Sequence, residues 1–182
     1  MKIIFVTHGE TLENAEGIIM GQLIGGKLSP LGKLQAQKVG VLLKDTQIDV
    51  AYSSDLSRAI ETANEILKYH KNLHLNLAKE LRERNFGSHQ GKKKSEINGL
   101  SDRWFTDDGM GFETIEALCS RVEKFLLKIE KPHKNDTVLL VGHRVCGVAL
   151  ECVINQIPTS KFYAITEMKQ GDLKTFEYCA DL

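Results

Sequence analysis

The sequence predicts a layered α/β domain built around a largely parallel sheet. Short apolar runs typical of buried strands alternate with segments whose apolar residues recur at helical spacing, which is the pattern of βαβ units. The chain has 182 residues, a length that suits one domain with a sizeable core. It contains no internal repeat, linker or low-complexity stretch. We therefore predict a single domain over residues 1–182.

Two continuous apolar runs, 3–6 and 137–141, are the clearest candidates for buried strands. Shorter strands are predicted at 50–53 and 73–77. The tail alternates loosely through 162–165 and 173–178 around a turn at Gly171 and Asp172, which predicts a hairpin at the sheet edge.

Helices are predicted between these strands, at 31–43, 56–67, 114–129 and 145–154, with a less regular one at 95–105. Ser29 and Pro30 have the residue types of an N-cap and a first helical position. Residues 9–30 form a long glycine-rich loop, and loops of that length inside a compact domain are usually functional.

The charge balance argues against several classes of partner. Lys and Arg together number 24, as do Asp and Glu, so the formal net charge is zero. A dedicated nucleic-acid or membrane-surface binder usually carries a basic excess. No apolar run approaches the ~18 residues of a membrane span, and the N-terminal run is too short for a signal peptide. We expect a cytoplasmic protein with neither kind of partner.

The four cysteines, Cys119, Cys146, Cys152 and Cys179, form no CxxC pair and no zinc-binding spacing with histidine. Reduced thiols in a cytosolic protein are the expected state. We therefore predict no metal site and no cofactor.

Two histidines follow predicted strands directly, His8 after the first and His143 after the last long one. Open α/β sheets bind ligands beyond the carboxyl ends of their strands, so each histidine lies where a site is expected. A neutral histidine held in one tautomer can attack phosphorus. The phosphohistidine that results needs cationic donors and amides around its oxygens, and a carboxyl group to protonate the leaving oxygen.

The sequence offers candidates for these supporting roles. Arg58 lies on the helix after the second strand, Glu83 lies in the loop 81–87, and the helix after His143 can present its N-terminal amides to an anion. Taken singly, Arg58 is more often a solvated helix residue, and Glu83 between two arginines is more often part of a surface charge cluster. Their order and combination favour phosphoryl transfer. A lysine run at 92–94 has two interpretations, a solvated charge run or a patch that steers anions to the site.

Five motifs in chain order resemble those of the histidine phosphatase superfamily, also called phosphoglycerate mutase-like. They are Val-Thr-His-Gly-Glu-Thr at 6–11, Tyr-Ser-Ser-Asp-Leu-Ser-Arg-Ala at 52–59, Leu-Arg-Glu-Arg-Asn-Phe-Gly at 81–87, Gly-Phe-Glu-Thr at 111–114 and Leu-Val-Gly-His at 140–143. The resemblance covers nearly the whole chain. It implies a three-layer α/β/α sandwich around a mostly parallel sheet.

The resemblance also implies catalytic roles for four residues. His8 would be the nucleophile that becomes phosphorylated, and Glu83 would be the proton donor. Arg58 and His143 would bind the transferred phosphoryl group.

Further substrate contacts are implied at Asn14, Gln22 and Arg84. Asn14 matches a phosphate donor of the family, and Gln22 lies where the family's loop touches phosphate or substrate. The Glu-Arg pair at 83–84 is similar to that of mutases and fructose-bisphosphatase-type members, which act on multiply charged substrates.

The sequence departs from the family pattern at two important positions. Thr7 stands where an arginine usually clamps the phosphoryl oxygens, and Arg144 stands where a small residue usually follows the second histidine. A hydrogen bond to a charged group contributes about 1.5–3 kcal/mol, so losing the arginine predicts about 10- to 150-fold weaker catalysis. We hypothesise that Arg144 occupies the vacated charge position and that both residues contact phosphate. The alternative is that Arg144 caps a surface or pairs with an acid such as Glu151.

These observations predict a metal-independent histidine acid phosphatase that hydrolyses a small phosphorylated metabolite, of the sugar phosphate type, through phosphohistidine on His8. The chain is shorter than the glycolytic mutases of the family, which favours a phosphatase over the first alternative, a phosphoglycerate mutase. The second alternative is a catalytically weakened or non-catalytic member that binds a phosphorylated ligand or a protein partner. We expect a monomer or a homodimer.

Overall fold

A computed structural model describes residues 1–97 and 111–180 and contains a five-stranded sheet in the order β3-β2-β4-β1-β5. The strands are β1 (Lys2–Thr7), β2 (Val50–Ser53), β3 (Leu75–Leu77), β4 (Thr137–Gly142) and β5 (Leu173–Glu177). The α-helices are α1 (Leu12–Ala15), α2 (Pro30–Leu43), α3 (Ser57–Leu67), α4 (Ile115–Glu130) and α5 (Arg144–Ile154). Short 3₁₀ turns occur at Lys79–Leu81, Gly87–His89, Lys94–Glu96 and Thr159–Ala164.

The sheet is mostly parallel, which confirms the predicted fold class. Strands β1, β2, β3 and β4 pair in parallel, and only β5 runs antiparallel, along β1. Because β1 and β4 are neighbours and parallel, their carboxyl ends meet at the same edge of the sheet, with Thr7 opposite Gly142. The residues that follow them, His8 and His143, are therefore brought together.

Helices cover both faces of the sheet and give three layers. Alternate residues of a strand point to opposite faces. Ile4 and Val6 pack into the core beneath α2 and α3, whereas Ile3 and Phe5 pack into the core beneath α4 and α5. All four are at most 1% exposed, and burying such a side chain stabilises a fold by about 1.5–3 kcal/mol.

The predicted start of α2 is confirmed and ties this helix to the loop after β1. The Ser29 side chain accepts a hydrogen bond from the amide of Gly32, and Pro30 takes the first helical position. A Cβ atom on Gly32 would lie 1.9 Å from the carbonyl oxygen of Glu10. Only glycine allows this close approach, which fixes the chain just beyond His8.

Of the predicted C-terminal hairpin, the strand at 173–178 is confirmed as the edge strand β5, but the strand at 162–165 and the pairing between the two are wrong. Residues 159–164 form a 3₁₀ turn, and β5 pairs with β1 instead of with the preceding segment. Phe162 is buried, and its turn packs against α4 and α5, so this apolar cluster belongs to the helical layer. Of the irregular helix predicted at 95–105, a 3₁₀ turn at Lys94–Glu96 is seen, and residues 98–110 lie outside the described part. Within residues 1–97 and 111–180, no helix has the length and apolarity needed to cross a membrane.

Candidate active site

His8 lies in the first turn after β1 with its ring held in one tautomer. Its backbone amide donates to the carbonyl of Gly142 at 2.9 Å, and its Nδ1 lies 2.6 Å from the carbonyl oxygen of Gly9. A carbonyl only accepts, so Nδ1 carries the proton and Nε2 keeps its lone pair. Burial, aided by the charge of Arg58, lowers the pKa of His8 to about 3. The ring is therefore neutral at neutral pH.

His143 packs edge-on against His8, with ring centroids 5.0 Å apart. Its Nε2 lies 2.9 Å from the hydroxyl oxygen of Ser54, which follows β2 at the same edge of the sheet. Burial, together with the charge of Arg58, holds the pKa of His143 well below its ordinary value. Its Nδ1 is buried and has no hydrogen-bond partner among residues 1–97 and 111–180.

Arg58 is a buried cation that is only partly satisfied. It lies in the first turn of α3, and its Nη2 donates to the carbonyl of Gly21 at 2.7 Å. Its Nη1 is buried without a hydrogen-bond partner in the described part of the chain. Burial lowers the pKa of Arg58 to about 10, so it stays charged at neutral pH. A buried charge is costly unless it is paired, and the cavity beside Arg58 is where an anion would pair with it.

Glu83 faces the same cavity from the loop after β3. Its carboxylate accepts backbone hydrogen bonds from Arg84 at 2.9 Å, Cys146 at 3.2 Å and Val145 at 3.4 Å. Burial raises the pKa of Glu83, although these amides and Arg58 oppose the rise. We expected the first amides of α5 to be open to a bound anion, but Glu83 takes two of them. The helix terminus thus holds the acid in place.

The loop that carries Glu83 is fixed by an ion pair that the sequence reasoning missed. Arg121 on α4 donates from Nε and Nη2 to the two carboxylate oxygens of Glu113, at 2.6 and 3.0 Å. The same guanidinium donates to the backbone carbonyls of Glu80 and Glu83. Glu113 belongs to the motif at 111–114 but precedes α4, and no i,i+3 or i,i+4 spacing links it to Arg121, so the sequence held no local signal for this pair.

Of the two residues that depart from the family pattern, Arg144 lines the cavity and Thr7 does not. The Thr7 side chain is fully buried and bonds to the backbone of Lys169 and Asp172, so it does not line the cavity. Arg144 does line the cavity, together with His8. The Nη2 of Arg144 donates to the carboxylate of Glu167.

Arg144 therefore pairs with an acid, as the alternative predicted, although this acid is Glu167 and not Glu151. Glu151 instead accepts from Lys174 at 2.7 Å.

The remaining predicted substrate residues are placed as follows. Asn14 lines the cavity, and its Oδ1 accepts from the backbone of Thr11 in a capping box. Gln22 donates to the backbone carbonyl of Glu83 at 2.9 Å, so it supports the loop that carries the acid. Arg84 is buried with its Nε on the carbonyl of Glu113 and does not line the cavity beside His8.

Several cavity-lining side chains were not singled out in the sequence. Glu167 and Gln170 come from the segment before β5, Met20 comes from the glycine-rich loop, and Phe86 comes from the loop 81–87 that also carries Glu83. Lys94 lines the cavity and is also exposed, so this residue fits both interpretations of the lysine run. Within residues 1–97 and 111–180, no group of three or more His, Cys, Asp or Glu side chains is arranged to hold a metal ion.

Comparison with known proteins decides the family. Residues 3–181 match the sequence profile described as histidine phosphatase superfamily (branch 1). The chain belongs to the histidine phosphatase superfamily. This confirms the resemblance drawn from the five motifs and accounts for the two histidines at one sheet edge.

Similar proteins within this superfamily include phosphatases. The chain is 32% identical to phosphoserine phosphatase 1 of Hydrogenobacter thermophilus over 90% of its length and 81% of the relative's. It is 36% identical to phosphoglycerate mutase-like protein 4 of Arabidopsis thaliana over 78% of its length, and it spans 66% of that relative. The structure of a mycobacterial glucosyl-3-phosphoglycerate phosphatase matches with a TM-score of 0.84 and 25% identity, over 96% of this chain and 91% of that one.

Proposed function

We propose that this chain is a phosphomonoesterase that works through a phosphohistidine on His8. The observation that carries the proposal is the grouping of three features around one cavity. These are a neutral histidine with Nε2 unprotonated, a buried guanidinium whose Nη1 has no partner among residues 1–97 and 111–180, and a carboxyl whose pKa is raised. They supply a nucleophile, an anion partner and an acid.

In the first step, the lone pair of His8 Nε2 attacks the phosphorus of a small phosphorylated metabolite. The bond between phosphorus and the ester oxygen breaks, its electron pair stays on that oxygen, and the protonated Glu83 carboxyl supplies the proton. Arg58, which lines the cavity, and His143, which does not line it but packs against His8, bind the phosphoryl oxygens, because charge that develops there needs fixed donors. Asn14 and Arg144 line the same cavity and complete the anion site.

In the second step, the Glu83 carboxylate accepts a proton from water as the water oxygen attacks phosphorus. The phosphorus–nitrogen bond breaks and its electrons return to Nε2. This step releases inorganic phosphate and restores both starting groups. Neither step uses a metal or an organic cofactor. The proposed substrate is a small metabolite of the sugar phosphate type.

A quenched-reaction experiment tests the proposal. The enzyme is mixed with a panel of phosphorylated sugars and acids, stopped in base because phosphohistidine is labile to acid, and digested for mass spectrometry. We expect a phosphorylated peptide containing His8 and release of phosphate, both lost in His8→Ala. His74→Ala is the matched control, because His74 is exposed and does not line the cavity. A phosphate release that survives His8→Ala would contradict the mechanism.

The same enzyme preparation distinguishes a phosphatase from the two alternatives, a mutase and a non-catalytic member. A mutase would pass the phosphoryl group from His8 back to an organic acceptor, so phosphoglycerate interconversion would exceed phosphate release. A non-catalytic member would bind inorganic phosphate in calorimetry without forming phosphohistidine.

A further inference from the structure

One wall of the cavity is formed by residues 167–172, here called the 167–172 segment. It leads into β5, the antiparallel edge strand, and therefore reaches the carboxyl end of β1. Glu167 and Gln170 from this segment line the cavity together with His8 and Arg144. The position of this wall decides what Glu167 and Gln170 present to a ligand.

Thr7 holds one end of the segment. Its hydroxyl donates to the backbone carbonyl of Lys169 and accepts from the amide of Asp172 at 3.1 Å. The backbone adds a bond from the Thr7 amide to the carbonyl of Asp172 at 3.0 Å and one from Gly171 to the carbonyl of His8 at 3.1 Å. The side chain of Thr7 is thus used to fix a turn, not to contact a ligand.

Arg144 is held by the other end of the segment. Its Nη2 donates to the carboxylate of Glu167, and its Nε donates to the carbonyl of Met168 at 3.2 Å. The guanidinium lies near enough to His8 for its charge to contribute to the lowered pKa of that ring. The 167–172 segment therefore joins Thr7 to Arg144 through hydrogen bonds at both ends.

We propose that Thr7 is a positioning residue for Arg144. The Thr7 hydroxyl fixes the turn, the turn sets Glu167 and the Met168 carbonyl, and these two hold the guanidinium at the cavity wall, where it binds the phosphoryl group. The two departures from the family pattern are then one linked change. An arginine at position 7 has no hydroxyl that can fix the turn, and a small residue at position 144 has no guanidinium to be held.

The assignment of Arg144 to the phosphoryl group rests on the proposed function, so the test reads binding separately from turnover. Inorganic phosphate is titrated calorimetrically into the wild type and four variants, and kcat and KM are measured for the preferred phosphomonoester. The variants are Thr7→Val, Thr7→Ser, Arg144→Ala and the double variant Thr7→Val/Arg144→Ala.

Arg144→Ala should lower kcat/KM by about 10- to 150-fold and weaken phosphate binding, since it removes a charged donor. Thr7→Val should show a large part of the same decrease in kcat/KM and in phosphate affinity, although it removes no group that touches the ligand. Thr7→Ser keeps the hydroxyl and should behave as the wild type. The double variant should fall no further than Arg144→Ala, because residues that act through one another are not additive.

Ile129→Val is the control for a loss of stability alone, because Ile129 is buried in α4 and does not line the cavity. It should leave phosphate affinity unchanged. The proposal is overturned if Thr7→Val behaves like this control, with lower stability but unaltered affinity and kcat/KM. It is also overturned if the losses from Thr7→Val and Arg144→Ala multiply.

Thr7→Arg gives a second discriminating result. It adds the usual charge but removes the hydroxyl that fixes the turn, so we expect weaker phosphate binding than in the wild type. Tighter binding would show that the charge position is still vacant and would overturn the proposal. If phosphate binding depends on Thr7 and Arg144 as described but His8 is never phosphorylated, the proposed function fails while the positioning role stands.

Discussion

Replacing Glu83 by glutamine should separate proton transfer from folding. Glutamine keeps one carbonyl oxygen, which can still accept from the amides of Arg84 at 2.9 Å and Cys146 at 3.2 Å. Only the 3.4 Å bond from Val145 is lost. A neutral hydrogen bond contributes about 1 kcal/mol, so the melting temperature should fall by only about 2–4 °C.

The chemical effect of Glu83→Gln should be much larger. A positioned general acid or base contributes about 10²- to 10⁴-fold, so turnover of an alkyl phosphomonoester should fall by that factor. With p-nitrophenyl phosphate, whose leaving group departs without a proton, the first step should survive and the second should not. We expect a burst of nitrophenolate close to one equivalent per enzyme, with phosphohistidine accumulating on His8.

The pH profile provides a third readout. Glu83 must be protonated to act as the acid of the first step, and burial raises its pKa. The kcat/KM of the wild type for an alkyl phosphomonoester should therefore fall as pH rises through that raised value. Glutamine does not titrate, so this limb should disappear from the variant.

Glu167→Gln is the matched control for Glu83→Gln. Glu167 also lines the cavity, and burial raises its pKa, but it bonds to Arg144 and not to the amides of α5. It should slow alkyl and aryl phosphates equally. The reasoning is refuted if Glu83→Gln shows no burst, or if Glu167→Gln shows the aryl preference instead.

Three further outcomes follow from the described contacts. His8→Gln should make the free energy of unfolding less sensitive to acid. The pKa of His8 falls from 6.5 to about 3 on folding, so the unfolded chain binds the extra proton and the free energy of unfolding of the wild type falls by up to about 5 kcal/mol as pH drops across that window. Urea unfolding that shows the same loss between pH 7 and pH 4 in the wild type and in His8→Gln would contradict this. Arg121→Met should lower the free energy of unfolding in urea by about 1–3 kcal/mol, because it leaves the partly buried Glu113 carboxylate without its cation, and adding Glu113→Leu should restore part of the loss. Gly32→Ala should lower stability by at least about 1–3 kcal/mol, because its Cβ would lie 1.9 Å from the Glu10 carbonyl oxygen, and an unchanged urea midpoint would show that the loop can move aside.

Local signals predicted most of the fold. The buried strands β1 and β4 are continuous apolar runs, and the start of α2 carries Ser29, whose side chain caps the helix as predicted. The first strand of the tail hairpin was wrong because an apolar cluster around Phe162 has no strong period, and only the packing of α4 and α5 decides where it goes.

Only part of the candidate site was predictable: His8, Asn14, Arg58, Glu83 and Arg144 line the cavity, whereas Thr7 and Arg84 do not and Glu167 and Gln170 were missed. His8 and His143 follow strands, and the rule for parallel sheets brings strand ends together whatever the loops do. The partner of Arg144 was not predictable, because Glu167 reaches it only through the antiparallel return of β5. Nor was the role of Thr7, whose hydroxyl bonds to a residue 162 positions away.

The strand order has a consequence for how this chain is made. Both neighbours of β1 in the sheet are strands from the C-terminal part of the sequence, β4 and β5. β1 ends at residue 7 and β4 begins at residue 137, so 130 residues of synthesis separate this apolar strand from its first partner. At about 5–20 residues per second, the delay is roughly 7 to 26 s. During that time β1 can pair with other chains, so we expect ribosome-bound intermediates to need a chaperone that covers the first strand.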